Sequence, residues 1–195
     1  MTKTEVAKPQ SLTWMQKMDK LDHEWSSFGH KANYGLLNHI ILIFAVTFNT
    51  PFVIVIPSSY IFWRAAYGAR EVMHYILLQL IGVIITLSLK KFFRRPRPVL
   101  DKFSQIIGNK MQSLRKREKN NSMPSGDSMQ VALFASFCFL NFGEWYWFLI
   151  VPITMYGRVH FLCHFISDTI VGAAIGIFVA FTCNEYLELL VQFFF

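Results

Sequence analysis

The sequence predicts an all-α, multi-span membrane helical bundle of about five spans, preceded by N-terminal interfacial helices. Composition is the first observation behind that prediction: of 195 residues, 53% are hydrophobic and 16% charged, whereas a soluble domain carries about 25% charged residues. The second is that the apolar residues, 20 Phe among them, fall in runs long enough to cross a bilayer. The third is that the polar residues collect at the junctions between those runs. A net charge of +7 in such a chain points to anionic headgroups or phosphates and away from nucleic acid. The cysteines, Cys138, Cys163 and Cys183, are odd in number and lack the paired spacing of a zinc site, so neither a disulfide framework nor a structural metal is expected.

Residues 1–10 are polar and lack the apolar core of a cleaved signal peptide. Trp14, Met18, Leu21, Trp25 and Phe28 then recur at spacings of four and three, with Lys17, Asp19, Lys20 and Asp22 between them, which makes one apolar helical face. That face suits a helix in the membrane interface, or one packed on the rest of the protein. Residues 36–63 are apolar but interrupted at Asn49, Thr50 and Pro51 and again at Pro57. The expected result is an interfacial or re-entrant helix over 36–47 and a span over 49–63. Residues 72–89 form a cleaner span. A loop with eleven Lys and Arg follows over 90–123. Spans over 124–142, 145–161 and 165–195 complete the set. Gly172 and Gly176 form a small-xxx-small pair suited to close helix packing. The chain thus divides into an N-terminal amphipathic segment, 1–34, and a membrane domain, 35–195.

Alternation of five spans brings three polar junctions to one face. The first holds Lys90, Arg94, Arg95 and Arg97, which by themselves read as topology anchors. The second is Pro124-Ser125-Gly126-Asp127, a helix start with capping residues and free backbone N–H groups that can also seat an anion. The third is Arg158, His164 and Asp168. One helical turn separates His164 from Asp168, so the carboxylate can fix the imidazole tautomer. His160 lies one turn before His164, which leaves open a metal site of His160, His164 and Asp168. Ionisable groups this close to spans are costly and point to function. Together they read as a phosphoryl-transfer site: the cations hold phosphate oxygens, the Ser125 hydroxyl and Gly126 N–H complete the cradle, and His164 attacks.

Lys90-x6-Arg97-Pro98, Pro124-Ser125-Gly126 and Arg158-x5-His164-x3-Asp168, in that order, resemble the three-part signature of the type 2 phosphatidic acid phosphatase superfamily of integral membrane lipid phosphatases. The resemblance covers roughly residues 49–185. It implies that Lys90, Arg97, Ser125, Gly126 and Arg158 bind phosphate, that His164 becomes phosphohistidine, and that Asp168 orients it. It also implies that the reaction needs no metal or other cofactor. The chain departs from the pattern twice: Gly157 stands where the family usually has Ser, and Asp127 stands where the second motif ends in the His that protonates the leaving oxygen.

Three readings of Asp127 follow. It acts as a carboxylic acid; or the substrate is a diphosphate, whose leaving group is weakly basic and forgoes much of the 10²–10⁴-fold that a general acid typically contributes; or turnover is lost and the protein is a scaffold or lipid-phosphate binder. The favoured substrate is a polyisoprenyl-type lipid diphosphate, and the expected partners are that lipid and the surrounding membrane lipids. A small channel or transporter subunit is disfavoured by the absence of charge in mid-span. Five Lys precede Leu36, eleven Lys and Arg occupy the loop, and Arg158 joins them on one face, against Arg64 and Arg70 on the other. The positive-inside rule then places the active face in the cytosol, on an endoplasmic reticulum or bacterial inner membrane. The run from Lys110 to Lys119, with Arg115, Lys116 and Arg117, is a solvated charge run or a lure for anionic lipid.

Overall fold

The computed structural model describes residues 14–32, 34–48, 52–98, 114 and 118–194. Lys110, Arg115, Lys116 and Arg117 of the basic run, and the 49–51 interruption, lie outside the described residues. The helices are α1 (Trp14–Lys31), α2 (Leu37–Thr47), α3 (Phe52–Arg64), α4 (Ala69–Phe93), α5 (Gly126–Phe142), α6 (Ile150–His160) and α7 (Ile166–Phe194). A short 3-10 helix, Trp145–Leu149, precedes α6. No strand occurs among the described residues, and the predicted all-α architecture is the observed one.

Two helices, α4 with 25 residues and α7 with 29, are long and apolar enough to cross a membrane. At 1.5 Å per residue they extend about 37 and 43 Å. The other segments expected as spans hold shorter helices: α3 has 13 residues, α5 has 17, and α6 has 11 after its 3-10 lead. The stretch expected as one helix over 145–161 is split because Pro152 falls in the first turn of α6. A proline there cannot donate to the carbonyl four residues back, and its ring crowds that carbonyl, so regular α-helix starts at Ile150.

The centre of the bundle is α5. Every residue from Asp127 to Cys138 is buried, as expected for a helix that is apolar on all sides. Met129, Leu133, Phe134 and Phe137 pack there with Tyr75 and Leu78 of α4 and Val179 and Ala180 of α7. The helix begins at Ser125, whose side chain accepts the Ser128 N–H at 3.4 Å, and ends at Gly143 in the left-handed region with φ 72°. The outer faces of α4 and α7 expose Leu80, Ile84, Ile170 and Phe178, an apolar perimeter.

Helix α1 turns its polar side inward. Ser26 and His30 are buried against the bundle, while Trp25 is 66% and Phe28 76% exposed. The Ser26 hydroxyl accepts the Ile166 N–H at 2.9 Å and Asp22 accepts the Ser167 N–H at 3.1 Å, so this polar side caps the start of α7. The apolar face of α1 is left outward while its polar side packs on the bundle.

The glycine pair sets the distance between α5 and α7. A Cβ on Gly172 would lie 2.3 Å from the Ser125 carbonyl oxygen, and one on Gly176 would lie 2.2 Å from the Met129 carbonyl oxygen. The Ser125 N–H also donates to the Asp168 carbonyl at 2.9 Å, so the first turns of α5 and α7 meet backbone to backbone. Both clashes involve main chain, which cannot swing aside. Gly176→Ala is therefore expected to cost about 1–3 kcal/mol through overpacking, read as a lower thermal midpoint of the detergent-solubilised protein. An unchanged midpoint would contradict this account of the packing.

Candidate active site

The three polar junctions converge on one cavity of about 160 Å³, lined by Lys90 and the apolar Val83 and Leu87 from α4, Arg97, Glu118 and Asn120 from the loop, Gly126, Asp127 and Met129 from α5, and His164. Arg158 and Asp168 lie behind its wall with no accessible surface. The Ser125 hydroxyl, also fully buried, is engaged by the N–H and hydroxyl of Ser128 as the α5 cap. Gly126 opens the first turn of α5, where backbone N–H groups have no helical acceptor.

His164 sits in the short connection between α6 and α7. Its backbone N–H and that of Cys163 both donate to the Arg158 carbonyl, at 3.2 and 3.0 Å, which closes α6 and aims the imidazole at the cavity. The Arg97 Nη1 lies 3.2 Å from His164 Nε2. A guanidinium can only donate, so Nε2 must present its lone pair and the ring proton must be on Nδ1. On that side Nδ1 lies 3.4 Å from the Ser122 oxygen and 3.6 Å from Asp168 Oδ2. The Ser122 hydroxyl in turn donates to Asp168 Oδ2. The Asp168 carboxylate also accepts the Phe165 N–H at 2.9 Å and Arg95 Nη1 at 2.8 Å.

The cations are individually fastened. Lys90 Nζ donates to the Asn121 carbonyl at 2.7 Å, and Arg97 donates to the Asn120 carbonyl at 2.7 Å and its side-chain oxygen at 2.6 Å. Arg158 donates to the Ala45 carbonyl at 3.3 Å and pairs with Asp127 at 2.8 Å. Glu118 bridges the two guanidinium groups: one oxygen pairs with Arg158 and the other with Arg97 at 2.9 Å. Burial opposes charge on Glu118, but Arg158 and Arg97 outweigh it and hold the carboxyl down at about 2. Lys90, Arg97 and Arg158 are thus set beside Glu118 and Asp127, with the third carboxylate, Asp168, behind His164.

Lys90, Arg97, Gly126, Asp127, Arg158, His164 and Asp168 are therefore brought together, while Ser125 is adjacent but committed to capping. His160 points elsewhere, with its ring nitrogens at 3.1 Å from the Gly29 carbonyl and 3.0 Å from the Asn38 side chain. Sequence reasoning missed Glu118, Ser122 and Arg95. Glu118 carried a faint signal, as one of two acidic residues in a loop with eleven cations. Arg95 resembled its neighbours on sequence. In the fold it links Asp19, Asp22 and Asp168, each at 2.8 Å, and lies 4.3 Å over the Phe165 ring.

Burial, reinforced by Arg97, Arg158 and Lys90 and opposed by Asp168, lowers the His164 pKa from 6.5 to about 3. A ring that resists protonation when folded but takes a proton near 6.5 when unfolded contributes stability above 6.5 that is lost as pH falls toward 3. In nitrogen-15 NMR of histidine-labelled protein, His164 is expected to remain neutral, with its proton on Nδ1, from pH 8 to 5. A transition of that ring centred near 6.5 would contradict the assigned environment.

The sequence profile of the PAP2 superfamily matches residues 71–190, which hold all three polar junctions. No curated protein sequence matches the chain. Among solved structures, the fold is similar to LpxE of Aquifex aeolicus, with a TM-score of 0.65 and 24% identity over 85% of this chain and 96% of that one. It is also similar to a transmembrane PAP2-type phosphatidylglycerolphosphate phosphatase from Bacillus subtilis, with a TM-score of 0.67 and 19% identity over 88% of this chain and 87% of that one. With a family match spanning most of the chain and a fold shared with these two proteins, this chain belongs to the PAP2 superfamily.

Proposed function

We propose that the protein is a membrane lipid phosphatase that hydrolyses a lipid phosphate, with a polyisoprenyl-type lipid diphosphate as the favoured substrate, through a phosphohistidine at His164. The observation that carries this reading is the imidazole: its Nε2 accepts from Arg97 at 3.2 Å on the wall of the cavity that Lys90 also lines, so that attack follows once Arg97 turns to the phosphate, and its Nδ1 faces Ser122 and Asp168. In the reaction Nε2 bonds to phosphorus as the bond to the leaving oxygen breaks. Lys90, Arg97 and the N–H groups opening α5 receive the charge on the phosphoryl oxygens. Asp168 offsets the positive charge that develops on the ring. Water then attacks phosphorus, the N–P bond breaks, and inorganic phosphate leaves with His164 restored.

The favoured substrate follows from Asp127. Its carboxylate lines the cavity and is held in an ion pair with Arg158 at 2.8 Å, at the position where the family has its imidazole acid. A diphosphate expels a phosphate monoester, which needs little protonation. A lipid is supported by Val83, Leu87 and Met129, which give the cavity an apolar side between α4 and α5. The membrane arrangement in this reading retains five spans, a cytosolic active face and α1 lying among the headgroups with Trp25 and Phe28 outward. A second reading, a noncatalytic lipid-phosphate binder or scaffold, is favoured by one observation: Glu118 and Asp127 already engage the two arginines that would hold phosphate.

Phosphate release by purified protein in detergent with EDTA, from farnesyl diphosphate and from phosphatidate, separates the two readings. The diphosphate is expected to be hydrolysed despite the chelator, and His164→Ala should reduce release to the blank. No release from either lipid would overturn the enzyme reading in favour of the binder.

A further inference from the structure

We propose that Glu118 is an internal competitor for phosphate, a carboxylate that occupies the oxyanion seat between Arg97 and Arg158 and must be displaced before a phosphoryl group can bind there. The inference rests on the reading of this cavity as a phosphate site. Glu118 presents its two oxygens as two phosphate oxygens would, one to each guanidinium, and it lines the same cavity as Lys90, Gly126, Asp127 and His164. Its side chain is 16% exposed, against 4% for Arg97 and none for Arg158, so it covers both cations from the open side.

The carboxylate also has a reason to be there. Two buried guanidinium groups without a full set of counter-charges are strongly unfavourable, and an ion pair broken by removal of one partner leaves the other uncompensated. Asp127 reaches Arg158 at 2.8 Å, and Arg97 otherwise donates to the neutral acceptors of Asn120 and Cys163 and to the His164 ring. Glu118 supplies the remaining charge while the protein waits for substrate. Phosphate and Glu118 are then alternatives: with both in the cavity, a dianion would lie beside two carboxylates. The consequence is a higher threshold for ligands. A group with more oxygens, such as a diphosphate, can replace the lost pairings with contacts to Lys90 and the α5 N-terminus, whereas a single phosphate replaces fewer.

Glu118→Gln removes the charge and keeps the shape. Two effects are expected together in the purified full-length protein. The thermal midpoint without added anion falls, because the arginines lose a counter-ion, and inorganic phosphate binds at least tenfold tighter by calorimetry than to wild type, restoring the midpoint. Glu118→Asp, which keeps the charge on a shorter stem, should bind phosphate within about twofold of wild type. Arg97→Ala serves as the control for the phosphate site itself and should abolish binding in either background. Phosphate binding that requires Arg97 but is equal or weaker in Glu118→Gln would overturn the competitor role and leave the phosphate site standing. Absence of Arg97-dependent phosphate binding in both wild type and Glu118→Gln would overturn the phosphate site, and the competitor role with it.

Discussion

A guanidinium with no accessible surface organises this protein. Arg158 cannot stay charged in that position without partners, and they come from three separate elements: Asp127 at the start of α5, Glu118 in the loop, and the Ala45 carbonyl in α2. Satisfying one side chain therefore ties Glu118 to the bundle and fixes the register of α6 between α2 and α5. The backbone of the same residue accepts from Cys163 and His164. The position of the imidazole is thus a consequence of where Arg158 is held. Asp168, equally inaccessible, performs the corresponding task on the other side of the ring, where it joins α7 to Ser122, Arg95 and through them to α1.

Much of this was readable in the chain because it is local. Apolar runs mark most helices of the bundle, whereas the break before α6 at Pro152 goes unread and the stretch is expected as one helix. The four-residue interval of His164 and Asp168 put both at the entrance to one helix, and the Ser125 cap declared the start of α5. The Gly172 and Gly176 pair was legible as a packing surface, although its partner, the backbone of Ser125 and Met129, was not. The family signature could be read because its three parts are short and keep their order.

What the chain concealed depends on contacts across long separations. Arg95 stands among similar basic residues, and nothing local distinguishes the one that meets Asp19, Asp22 and Asp168 from an ordinary topology anchor. Glu118 lies 40 residues from Arg158 and is surrounded in sequence by cations, so its counter-ion role exists only once the loop is folded. Pattern alone also left α1 undecided, since an apolar stripe can face a core or a membrane. The buried Ser26 and the caps that Asp22 and Ser26 provide to α7 settle its orientation within the fold.

The central claim is that His164 Nε2 is the nucleophile, and rapid-quench labelling tests it most directly. Protein mixed with a lipid diphosphate carrying a labelled terminal phosphoryl group, stopped in base and digested, should yield one acid-labile, base-stable phosphoryl group on the peptide that contains His164. The label should appear before steady-state release and be absent from His164→Ala. Turnover with no labelled histidine would contradict the account.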